Sequence, residues 1–199
     1  MLLSVDYSWQ QIALGWGVLI AVACIWVAIS NKIGRKKAET GEDKETIWNI
    51  LQKAVPDIDK YTRAYATCEW STYQGKRKLT DYWYYGIAFN DQELCIVPLS
   101  FAGGDASYSQ PFRITKDQVG IVNSKEDASW VELYDKNRQE MISMMVVKEN
   151  LKFGKFEPVN IFQEEEADAF VSWKNKWMND INAANGITAT GKMKKPVKK

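Results

Sequence analysis

Residues 80–99 read TDYWYYGIAFNDQELCIVPL, and this stretch decides the fold. Its first half is rich in β-forming types. An extended chain puts Tyr82, Tyr84, Gly86 and Ala88 on one side and Trp83, Tyr85, Ile87 and Phe89 on the other. Asn90, Asp91 and Gln92 supply turn chemistry, and residues 93–99 return as a second strand, closing a hairpin. Upstream, residues 65–73 read as a strand that enters the hairpin through Gln74, Gly75, Lys76, Arg77 and Lys78. Downstream, SFAGGDASYSQ (100–110) reads as a mobile loop. Residues 110–115 and 118–122 are short strands or one bent strand. Residues 130–134 and 140–148 flank a turn at 135–139 as a further hairpin, and 151–156 with 159–162 supply one more strand.

The period then changes. Glu164, Glu165 and Glu166 suit a helix N-terminus through the helix dipole. Ala167, Phe170, Val171, Trp173, Trp177, Met178 and Ile181 form a broad apolar stripe, and Gly186 is the expected stop. About seven antiparallel strands followed by one long amphipathic helix predict a bent sandwich or partly open barrel. The helix caps it, with Phe170, Trp173, Trp177 and Ile181 as the capping core.

The N-terminal end has a different character. Residues 12–29, IALGWGVLIAVACIWVAI, are 18 residues without a charge. As a helix they span about 27 Å, close to the hydrocarbon thickness of a bilayer. Tyr7 and Trp9 sit at one edge, where amphipathic rings favour the headgroup zone. A core helix of this length would carry a polar face. A signal peptide would carry its basic residues before the apolar run, whereas here Lys32, Arg35, Lys36 and Lys37 follow it. That asymmetry predicts a single-pass anchor in the cell (inner) membrane, with the N-terminus outside and the remainder cytoplasmic.

Four segments follow: an anchor at 1–30, a basic juxtamembrane linker with a short amphipathic helix at 31–60, a folded domain at 61–185, and a disordered lysine-rich tail at 186–199. Within 31–60, residues 31–42 read as an extended tether. Asp43 is the expected cap of a helix that presents Ile47, Ile50 and Leu51 on one face and ends before Pro56. The 199 residues carry 26 basic and 25 acidic side chains, but that balance describes no segment. Residues 38–185 hold 17 basic against 24 acidic groups, while the tail holds five lysines and no acid.

Composition narrows the chemistry. With no histidine, His-dependent triads and His metal sites are out. Cys68 and Cys95 supply only two of four zinc ligands, and are read as reduced and structural. Gly103 and Gly104 lack phosphate-loop spacing. The tail lacks arginine and interleaved aromatics, so nucleic acid is not an expected partner. The expectation is a protein that is not an enzyme and takes no cofactor and no metal.

The order of elements over about residues 61–185 resembles that of pleckstrin-homology-like domains, in their bacterial version. The pieces that carry it are YYGIAFNDQELCIVPL, QPFRITKDQVGIV, SWVELYDKNRQEMISMMVV and EEADAFVSWKNKWMNDI, with Trp173 and Trp177 in the last. The resemblance implies a seven-stranded bent sandwich closed by a C-terminal helix. It also implies a membrane-anchored scaffold that recruits a protein partner at the inner face of the bilayer, with the run Tyr82, Trp83, Tyr84 and Tyr85 as candidate groove or edge. In this family the loop between the first two strands often holds anionic lipid headgroups, which points to Lys76, Arg77 and Lys78. An alternative function is therefore a sensor or binder of anionic lipid. Each of these three cations is worth roughly 1 kcal/mol near an anionic leaflet, and by their charge alone the tail residues Lys192, Lys194, Lys195, Lys198 and Lys199 would add weak, salt-sensitive adsorption. Against it, Lys76, Arg77 and Lys78 also suit an ordinary solvated hairpin tip, and the acidic excess of the domain opposes docking to such a surface.

Overall fold

A computed structural model describes residues 9–74, 77–101, 105–152 and 157–187. Helix α1 (Trp9–Thr40) is long and apolar enough to cross a membrane. Leu14, Trp16, Leu19, Ile25 and Trp26 all face outward, with no protein over them.

Residues 31–40, expected as an extended tether, continue this helix. The reason is tertiary. Gly34 and Ala38, one turn apart, are both buried; Gly34 lies against Leu151 and Asn160. Arg35 Nε meets Glu149 at 3.2 Å. Gly41 then takes the left-handed conformation (φ 73°) and breaks the helix, so α2 (Glu42–Ala54) starts at a new angle. Asp43, expected as the cap, lies inside α2; its carboxylate accepts the backbone N–H of Asn160 at 2.7 Å. Its role is to tie the helix to the domain.

The strands are β1 (Thr62–Gln74), β2 (Arg77–Phe89), β3 (Glu93–Ser100), β4 (Ser107–Tyr108), β5 (Phe112–Thr115), β6 (Val119–Asn123), β7 (Trp130–Asp135) and β8 (Glu140–Met145). They form one antiparallel sheet in the order β4-β3-β2-β1-β8-β7-β6, with β5 also beside β3. The stretch read as a mobile loop contains β4, which pairs Tyr108 with Leu99. The stretch read as short strands or one bent strand is two strands at distant places in the sheet. The second hairpin strand ends at Met145 rather than Lys148. The expected last strand is a separate ribbon of β9 (Glu149–Asn150) and β10 (Ile161–Phe162), while 153–156 lie outside the described residues. Helix α3 (Glu164–Ala184) closes the chain's fold.

Both faces of the first half of the sheet are covered, and the alternation shows how. Ala64, Ala66, Ile87, Phe89, Leu94 and Ile96 point inward, to a core shared with β6, β7, β8 and α3. Tyr65, Ala88, Cys95 and Val97 point the other way, under α2. Because β1 to β3 and β6 to β8 contribute to the same interior, the sheet bends over itself without closing. Gly86 is where α2 comes closest: a Cβ there would stand 3.0 Å from the Leu51 side chain. The fold is an N-terminal apolar helix followed by an α+β domain whose bent, unclosed antiparallel sheet is capped by a C-terminal helix.

That cap matches the expected one. Phe170, Trp173, Trp177 and Ile181 are all buried. Phe89 packs between Phe170 and Trp173, at ring distances of 5.9 and 5.2 Å. The indole N–H groups of Trp173 and Trp177 donate to the carbonyls of Asn90 (2.8 Å) and Asp91 (3.2 Å). The β2–β3 turn is thus held by two tryptophans that also fill the core.

Candidate binding cleft at the open seam of the sheet

The seam between β1 and β8 is the weakest join in the sheet, with Thr67 opposite Met145 as its one paired position. On one side of that pair a side chain seals it. The buried Gln163 carboxamide accepts the Tyr65 N–H at 2.8 Å and donates to the carbonyls of Tyr65 (2.8 Å) and Val147 (2.9 Å). Asn182 does the same for the outermost strand, accepting the Val122 N–H at 3.0 Å and donating to its carbonyl at 2.9 Å. A carboxamide carries the donor and acceptor of a peptide group, so these two residues stand in for absent strands.

On the other side of Thr67, no such seal exists among the described residues. Here β1 and β2 run on for seven more pairs, from Cys68–Trp83 to Gln74–Arg77, about 23 Å at the usual strand rise. Pairing of β2 with β3 begins only at Tyr84. The overhang is therefore a two-stranded ribbon with a free β1 edge.

Its two faces differ. The outer face satisfies itself: Ser71 and Thr80 hydroxyls are 3.1 Å apart, and Lys78 Nζ reaches Glu69 at 3.4 Å. The inner face carries Cys68, Trp70, Leu79, Asp81 and Trp83, and its apolar groups lie open. Trp70 is 50% exposed, Trp83 55% and Leu79 43%. Across from it stand Glu140, Met141, Ile142 and Ser143 of β8, with Pro98 and Phe112 at the floor. Together they enclose a cleft of about 470 Å³, the size of a ligand or peptide site.

The electrostatics are simple. Asp81 and Glu140 are exposed and have no ion-pair partner among the described residues. Burial pushes the Cys68 thiol up, the Ser143 hydrogen bond opposes this, and the charges of Glu140 and Glu132 add to it. Burial likewise pushes the Tyr85 phenol to about 12. Both groups stay protonated at neutral pH. The cleft offers apolar area, two carboxylates and an unpaired backbone edge. Among the described residues no group of three or more Cys, Asp or Glu side chains is placed to hold a metal ion.

The aromatic run divides as its alternation requires. Trp83 and Tyr85 line the cleft. Tyr82 and Tyr84 face the other way, Tyr84 edge-on to Phe101 at 5.6 Å beside the α2 contact. Lys78 sits on the outer face of the ribbon, paired with Glu69. Lys76, the side chain of Arg77, and Lys192, Lys194, Lys195, Lys198 and Lys199 lie outside the described residues. Sequence reasoning missed Cys68, Trp70, Asp81 and Glu140 as partners of Trp83. For Cys68 and Trp70 a signal was present, since both share one parity within the strand at 65–73. For Gln163 none was, because a single amide before an acidic run looks like any polar residue.

No protein-family model matches this sequence, and no curated protein matches it.

Proposed function

We propose that this chain is a membrane-anchored, non-enzymatic binding module of pleckstrin-homology-like plan, which recruits a protein partner at the inner face of the membrane through the β1–β8 cleft. The observation that carries this reading is the exposed inner face of the β1–β2 overhang. Two half-exposed tryptophans in one concave site are the side chains that dominate protein interfaces, and leaving them open costs solubility unless they are used. Anchoring is supported by the apolar α1, on whose uncharged part nothing packs among the described residues. The cytoplasmic side is supported by Lys32, Arg35, Lys36 and Lys37 directly after the uncharged run.

The docking of α1 on the domain adds a positional element. Gly34 is buried against Leu151 and Asn160 only five residues past Ile29, about 8 Å along a helix. With α1 in the bilayer, the domain is clamped at the membrane surface, which limits the partners it meets to those near the membrane.

A photo-crosslinking amino acid at position 83, activated in native membranes, tests the reading. The expected result is a discrete protein adduct that is absent when the same group replaces Lys136 in the β7–β8 turn. Adducts with lipid alone, or equal adducts at both positions, would overturn it.

A further inference from the structure

The cleft has a shape that suits one kind of partner segment. Below Thr67, the protein fills the β1–β8 seam with the Gln163 carboxamide. It fills the exposed edge of β6 with Asn182. Both devices satisfy backbone groups that a neighbouring strand would otherwise satisfy. Above Thr67 the same seam opens into the cleft, where Ser143 of β8 still bonds the Cys68 thiol, and the backbone edge of β1 from Glu69 onward pairs with no strand and no plug among the described residues. The β4 and β5 edges, by comparison, are two and four residues long, and short edges are poor templates for pairing. The β1 overhang is the longer edge, and the apolar side chains of its inner face line the adjoining cleft.

Charge decides what that strand carries. The charged residues that line the cleft are Asp81 and Glu140, both acidic, both exposed and both without an ion-pair partner among the described residues. They lie on opposite walls, Asp81 on the β2 side of the ribbon and Glu140 at the start of β8. Lys78, on the same ribbon, is on the other face and engaged with Glu69.

We infer that the partner enters as an extended segment that adds to the free edge of β1. The residues it turns into the cleft, at every second position, are apolar where they pack on Trp70 and Trp83 and Lys or Arg where they meet Asp81 and Glu140. This rests on the cleft being the protein-binding site proposed above. Main-chain hydrogen bonds to β1 supply affinity, and the side chains on alternate positions supply selectivity.

The test uses the full chain in nanodiscs of phosphatidylcholine, a zwitterionic lipid that does not attract cationic peptides. Three ten-residue probes are compared: a Lys–Val peptide of repeating Thr-Val-Thr-Lys, which puts Val and Lys on one face, a Glu–Val peptide of repeating Thr-Val-Thr-Glu, and the Lys–Val peptide with alternate backbone nitrogens methylated. Binding is read by tryptophan fluorescence, and strand addition by amide exchange at residues 69–73. The Lys–Val peptide is expected to bind about tenfold or more tighter than the Glu–Val peptide and to slow exchange on β1. N-methylation should abolish both effects. The double variant Asp81→Lys, Glu140→Lys should reverse the preference; both positions are exposed, so the fold is retained. Equal binding of the first two peptides, or undiminished binding of the methylated one, would overturn the inference. So would protection of β1 that grows with protein concentration in the absence of peptide, which would assign the edge to a second copy of the chain. If position 83 crosslinks to a protein in membranes while no peptide binds, the strand-addition inference fails and the binding-module reading stands. If neither occurs, both fail.

Discussion

Replacing Gln163 with Met tests how the seam is held. The two side chains have nearly the same length, so packing changes little and the loss is almost wholly that of the amide. Gln163 is fully buried. Its removal strands one N–H and one carbonyl of Tyr65 and the carbonyl of Val147, all bonded at 2.8–2.9 Å. A buried polar group left without a partner costs about 1–3 kcal/mol, carbonyls less than N–H groups. Three such groups sum to about 3–5 kcal/mol, a large share of the 5–15 kcal/mol typical of a domain. Urea denaturation followed by tryptophan fluorescence should show this drop. Native-state exchange should show the Tyr65 amide losing protection before the amides of the β2–β3 hairpin. A loss below about 1 kcal/mol, with Tyr65 still protected, would refute the claim that one carboxamide substitutes for a strand.

Other consequences follow from single contacts. Glu157 Oε2 is buried without a hydrogen-bond partner among the described residues, and burial raises its carboxyl from 4.5 to about 7. The folded state therefore holds a proton that the unfolded chain has released between those values, and stability falls as pH rises through that window; Glu157→Gln should flatten the slope in denaturation curves at pH 5 and pH 8. Gly86→Val would favour the strand by propensity, but its Cβ meets Leu51 at 3.0 Å. A net loss of about 1–3 kcal/mol, with faster exchange along α2, is expected. Trp83→Ser should leave folding stability within about 0.5 kcal/mol, as surface changes do, while removing partner capture; a large fall in Tm would show Trp83 to be core instead.

Some of this architecture is legible in local pattern and some is not, for physical reasons. The hairpin at 80–99 and the stripe on α3 follow from side-chain period, because burial on one face of a strand or helix imprints that period directly. Trp173 and Trp177 were readable as a cap for the same reason. The helical state of residues 31–40 was not, since nothing local favours it over an extended tether. It depends on Leu151 and Asn160, more than a hundred residues away, lying against Gly34, and on the burial of Ala38 one turn further on. Asp43 looked like a helix cap because caps are local and common; its actual partner, Asn160, is distant in sequence. The cleft was half visible. Alternation puts Trp83 and Tyr85 together, but the aromatic run suited core packing equally well. Only the register, with β3 pairing that stops at Tyr84, shows that Trp83 lies beyond the core.

Whether the cleft holds a partner at the membrane can be read from Cys68. It lines the cleft and is partly accessible, while Cys95 is buried and serves as an internal reference. Alkylation by a membrane-permeant maleimide, resolved by peptide mass spectrometry, can be timed in native membranes and in the purified protein. With a partner in the cleft, Cys68 reacts several-fold more slowly in native membranes than after purification, with Cys95 unchanged. Equal Cys68 rates in the two settings would contradict a bound partner.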